Sequence, residues 1–220
     1  MVTSATVSPS ISTNEFHPAL RVVAKIISYI FHPLFIPLYV LWFMVFDMGE
    51  FAGYSSWEKT KLMISFFVNY TFFPLVTILL MKALGFISSV FLKTQRDRIL
   101  PYVVCEIFYF WAWYVARNNH YPKLMVLLAL GIFLSTSLGL ILNSYLKVSM
   151  HTISLGVVTV FALQSGLMTD MNFGPYISIV LLVTGLTATS RLISSDHTQA
   201  EIYTGFFAGA ICQLIAYFFV

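Results

Sequence analysis

The chain has 220 residues, of which 59% are hydrophobic and only 10% charged, with a mean hydropathy of +0.85 and a net charge of +3. A soluble domain of that composition would expose large apolar patches, so the composition points to an integral membrane protein. The weak net charge, with no basic run carrying interleaved aromatics, argues against a nucleic-acid partner.

In chain order, residues 1–20 are rich in Ser and Thr and are expected to form a flexible tail. They lack the basic and apolar regions of a removable signal peptide. Residues 21–220 are expected to form a single transmembrane helical domain. Seven apolar runs lie at about 25–46, 62–85, 102–117, 123–146, 152–169, 175–189 and 201–220. The length suits about seven spans of roughly 20 residues. Helices are expected because lipid offers no partner to free backbone groups. The pattern therefore predicts an all-α bundle of six to seven transmembrane helices with its site at one membrane face. The third and sixth runs are short for a full crossing. Cys105 and Cys212 lie in apolar runs, so no disulfide is expected. In the first run, His32 precedes Pro33 and reads as a packed histidine at a kink. Glu106, inside the third run, is a costly group to bury and so a functional candidate.

The connections fall into two sets. Those at about 47–61, 118–122 and 170–174 are turn-rich and mildly polar. The other three are KTQRDRILP (93–101), KVSMHT (147–152) and SRLISSDHTQAE (190–201). An even number of spans separates each from the next, so all three lie at one membrane face. Within the last span, Gly205 and Gly209 make a small-xxx-small step suited to close helix packing. In the fourth, Ser135, Gly139 and Asn143 share a face.

His197 and Glu201 are four apart and would be neighbours on a helix. A carboxylate beside an imidazole fixes its tautomer and stabilises its cation. Arg191 offers a fork for an oxyanion. Lys147, Ser149 and His151 in the second cluster suit the same ligand, as do Lys93, Arg96 and Arg98 in the first. Each cluster alone also fits ordinary interfacial charge. His197 and Glu201 could instead supply two metal ligands, with His151 as a third. Together, the cations suit an anion with several oxygens, and two histidines can divide the roles of nucleophile and general acid without a metal or other cofactor.

The order and spacing of these residues resemble the type 2 phosphatidic acid phosphatase superfamily. Its third signature is Ser-Arg, five residues, His, three residues, Asp. Ser190-Arg191, His197 and Glu201 match it, with Glu in place of Asp. Its second signature is Pro-Ser-Gly-His, against Val148-Ser149-Met150-His151 here. Its first is Lys, six residues, Arg-Pro; Lys93 and Pro101 match, with Leu100 in place of the arginine. The resemblance implies that His197 is the nucleophile, that Glu201 orients it, and that His151 protonates the leaving alcohol. Lys93, Ser149, Ser190 and Arg191 would hold the phosphoryl oxygens. It implies a lipid phosphate or diphosphate as substrate, held at the bilayer, and a site that is external or lumenal. With the site residues set aside, Lys59, Lys61, Arg117 and Lys123 on the other face against Arg21, Lys25 and Lys82 also tilt the site outward, and a bacterial inner membrane is expected. The changes at Leu100 and Met150 motivate a second expectation, a non-catalytic lipid-phosphate-binding or transport protein on the same scaffold.

Overall fold

The computed structural model describes residues 16–194 and 196–220. Most of the expected tail, residues 1–15, lies outside them, and its last three residues are already helical. The α-helices are α1 (Pro18–Ile30), α2 (Ile36–Phe46), α3 (Ser56–Phe67), α4 (Phe73–Ala83), α5 (Gln95–Asn118), α6 (Lys123–Asn143), α7 (Met150–Met168), α8 (Gly174–Ile193) and α9 (Gln199–Tyr217). There is no strand among the described residues, and the chain is an all-α membrane bundle. Five helical stretches are long and apolar enough to cross a bilayer: Ser56–Ala83, Gln95–Asn118, Lys123–Asn143, Met150–Met168 and Gly174–Ile193. The two runs that look short in the sequence gain their length from polar residues. α5 takes in Gln95–Arg98, and α8 continues through Ser190 and Arg191.

Local chemistry places these ends. Thr94, Ser149 and Thr198 each accept a backbone N–H with their hydroxyls and so start α5, α7 and α9. Thr198 and Glu201 form a reciprocal capping box. α3 and α4 make one continuous rod, joined by a π-helical turn at Val68–Phe72. Pro74 follows directly; it has no N–H to give the ladder, which widens ahead of it.

The first apolar run is not one span. It breaks at residues 31–35, where Pro33 cannot donate a backbone bond and disfavours a helical His32. Side chains elsewhere take up the freed backbone groups. Tyr39 Oη donates to Ile30 O at 3.0 Å, and Thr71 Oγ1 donates to Leu34 O at 2.7 Å.

α6 is the central rod, packed on α5, α7 and α9. Its first half, Leu124–Ile132, is buried in the apolar core with Leu41, Met44, Phe66, Tyr70 and Phe161. The other end of the bundle is held differently. Gly209 backs onto the carbonyl of Ile153, and Gly156 onto the carbonyl of Phe206. α7 and α9 therefore touch backbone to backbone, with no room at either glycine for a methyl group. On α6, Gly139 lies against the Tyr102 ring. Asn143 exchanges hydrogen bonds with the backbone of Gln95, and Gln95 returns one to Asn143 O. Glu106 accepts from Ser137 Oγ at 2.6 Å, tying α5 to α6 within the bundle.

Gly209→Leu is expected to separate α7 from α9 and cost about 1–3 kcal/mol or more. Gly53→Ala, at a glycine with open space around it, should change little. Thermal unfolding in detergent compares the two.

Candidate active site

The site forms where α7 and α9 begin. The glycine contact brings their amino ends side by side, and Ser149 N donates to Glu201 O at 3.2 Å. His197 lies one residue before the Thr198 cap, so α9 starts after the histidine rather than before it. The four-residue spacing still works, because Glu201 reaches back over the cap.

The His197 ring is buried, and its Nδ1 meets two oxygens. One is Glu201 Oε2 at 3.0 Å and the other is Lys147 O at 3.1 Å. Neither oxygen has a hydrogen to give, so Nδ1 carries the proton and Nε2 carries the lone pair. Burial, followed by the charges of Arg191, Arg98 and Lys147, pushes the imidazole down from 6.5 to about 3. Its contact with Glu201 is therefore a hydrogen bond from a neutral ring rather than an ion pair. Glu201 Oε2 also accepts from Thr198 N at 3.0 Å. One oxygen atom thus caps the helix and orients the imidazole.

His151, in the first turn of α7, is also buried. Its Nε2 lies 3.0 Å from Ser28 O. α1 ends with the bond from Phe31 N to Ile27 O, so Ser28 O is a helix-end carbonyl without an intrahelical partner. A carbonyl only accepts, so His151 carries its proton on Nε2 and its lone pair on Nδ1. The ring packs edge-on against His32, centroid to centroid 5.4 Å. His32 and Ser28 are absent from the candidates read in the sequence. Their signal is the His32-Pro33 pair, which breaks the first run and turns this segment toward the site.

Arg191, in the last turn of α8, pairs through Nη2 with Asp196 Oδ2 at 2.9 Å. Its Nε is buried and has no partner among the described residues. Arg98 is deeply buried and reaches two backbone carbonyls, Leu92 O through Nε and Val148 O through Nη1, both at 2.8 Å. Leu92 has φ +48°, a left-handed conformation costly for a branched residue, and Arg98 is its anchor.

The structure thus gathers Arg98, Lys147, Ser149, His151, Arg191, His197 and Glu201 at one end of the bundle. Several have duties the sequence did not suggest. Ser149 Oγ caps α7, and Ser190 Oγ donates to Leu186 O at 2.7 Å. Asp196, without a role in the sequence, pairs with Arg191. Lys93 and Arg96 are exposed beside the α5 start, outside the hydrogen bonds that join the others. Leu100 is exposed on the side of α5, and Met150 is half-buried. Glu106 lies two turns along α5 from Arg98, with Ser137 as its partner. No group of three His, Cys, Asp or Glu suited to a metal ion occurs among the described residues.

No protein-family model, curated protein or solved structure matches the chain.

Two outcomes follow from these contacts. Arg98→Ala should strand two buried carbonyls and destabilise the protein by about 1.5–3 kcal/mol, with Arg98→Lys a poor rescue because one ammonium cannot span both. Denaturant unfolding measures both. As pH falls from 6.5 toward 3, the unfolded chain takes up a proton at residue 197 that the folded chain refuses. Stability drops over that window, by at most about 1.4 kcal/mol per pH unit from this group. His197→Asn should flatten that part of the pH profile.

Proposed function

We propose that the protein is a metal-independent phosphatase or phosphotransferase acting on a lipid phosphate or diphosphate through a phosphohistidine. The carrying observation is the pair of acceptors on His197 Nδ1, which leaves Nε2 as a neutral nitrogen nucleophile. The Nε of Arg191, buried and without a partner among the described residues, supports it as a donor for a phosphoryl oxygen. The amino ends of α7 and α9 add two positive dipole ends.

In the first step the His197 Nε2 lone pair attacks phosphorus. The P–N bond forms as the P–O bond to the lipid alcohol breaks. The departing oxygen takes a proton from His151, which must be protonated at Nδ1 when the dianionic group arrives. Phosphorylated on Nε2 and protonated on Nδ1, the His197 ring becomes cationic, and Glu201 stabilises it. In the second step water attacks phosphorus, the P–N bond breaks, and His151 Nδ1 recovers a proton from the water. An alcohol in place of water would make the reaction a phosphotransfer. Arg191 and Lys147 are the cations best placed for the oxygens. Arg98 acts by bracing the 92 and 148 backbone.

A second reading has the site bind a lipid phosphate without cleaving it. It is favoured by Met150, which stands where the resembled family has glycine, and by the engagement of the Ser149 and Ser190 hydroxyls within their own helices. Trapped phosphohistidine separates the two readings.

We also propose that the site faces outward from a bacterial inner membrane. Setting aside site residues, the opposite face holds the larger set of cations. Lys59, Lys61, Arg117 and Lys123 sit over the rings of Phe46, Trp57, Trp113 and Tyr217, as suits an interfacial belt on the positive, cytoplasmic side.

The test is phosphate release from a panel of lipid phosphates in the presence of chelator. Wild-type protein should turn over at least one of them. His197→Ala should abolish turnover, and Glu201→Gln should reduce it about 10²–10⁴-fold. Unchanged turnover in His197→Ala with the fold intact would refute the assignment.

A further inference from the structure

We infer that the groove between α1 and α8 holds the hydrocarbon chain of the lipid whose phosphate sits at His197; this rests on the lipid-phosphate reading of the site. The groove has a volume of about 450 Å³, in the range of small-molecule sites. Leu20, Val23, Ala24 and Ile27 form its α1 wall, and one face of α8 from Leu181 through Gly185 and Thr189 to Ile193 forms the other.

Three observations favour a substrate chain over general bilayer lipid. First, both walls end at the site. Ile27 precedes Ser28, whose carbonyl holds His151, and Ser190 precedes Arg191, whose buried Nε has no partner among the described residues. A chain in the groove therefore brings its polar end between the second histidine and the arginine. Second, the lining is apolar even at its one buried hydroxyl, because Ser190 Oγ is turned onto Leu186 O. Third, the groove is open at Gly185. A Cβ built there would meet nothing within 4 Å, although α1 and α8 pack on each other. Hydrophobic burial of a long chain there would supply binding energy in proportion to the area covered, so a long-chain substrate should bind more tightly than a short one with the same head group.

Gly185 also supplies the test, because Leu at that position would project into the groove from a backbone with open space at its Cβ. Leu182→Trp, from an exposed position on the same wall, is a second variant should the first fold poorly. The full chain in lipid nanodiscs would be irradiated with a long-chain polyprenyl phosphate carrying a diazirine on its chain, and the labelled residues mapped by mass spectrometry. Labels should fall on residues 20–27 and 181–193 and drop about tenfold in Gly185→Leu. The matching neutral alcohol should label the groove weakly. Labels elsewhere, equal labelling by the alcohol, or labelling unchanged in both variants would overturn the inference. Turnover separates it from the site reading. Gly185→Leu should raise KM for the long-chain phosphate more than for a short-chain alkyl phosphate. If wild type hydrolyses neither ester while the phosphate still labels the groove, the groove assignment stands and the phosphatase reading falls.

Discussion

A carbonyl at the end of a helix in a membrane protein needs a donor, and water is scarce. That constraint organises this end of the bundle. Ser28 O at the end of α1, Lys147 O and Val148 O after α6, and Leu92 O before α5 all need partners. The donors are His151, His197 and Arg98. The same side chains that make the site chemically distinctive therefore also satisfy four carbonyls in three chain segments. In the two histidines, the bond to a carbonyl decides which ring nitrogen keeps its lone pair.

The apolar half of the molecule is built on other terms. Around Leu124–Ile132 the helices pack mainly through apolar side chains, with the Gln213 amide lying against Gly131. Toward the site, α7 and α9 close until their backbones touch. The Gln164 and Gln213 amides pair across the same interface at 2.9 Å. Packing this tight permits little relative movement, which suits a cluster whose members come from distant parts of the chain.

Much of this was legible in the sequence. Five of the seven apolar runs located stretches long and apolar enough to span, and their parity brought the three polar connections to one face. The spacing of His197 and Glu201 anticipated their contact, even though His197 itself lies outside α9. The break at His32-Pro33 was visible as a kink, but its consequence was not. No local pattern says that the freed carbonyl of Ser28 will meet a histidine 123 positions away. The duties of Arg98 and Ser190 were hidden for the same reason. A basic or hydroxyl residue near a motif advertises its chemistry, whereas its actual partner depends on which backbone group the fold leaves unpaired. Asp196 resisted reading because a carboxylate in a polar loop is ordinarily solvated, and only the fold sets it opposite Arg191.

The two acceptors on His197 Nδ1 differ in kind. Glu201 is a side chain that a single substitution can erase. The Lys147 carbonyl belongs to the main chain, and no substitution of that side chain removes it. The orientation of the imidazole is thus held in duplicate, once by a replaceable group and once by the path of the polypeptide. The glutamate side chain reaches back over the Thr198 cap to a ring that the backbone also aims.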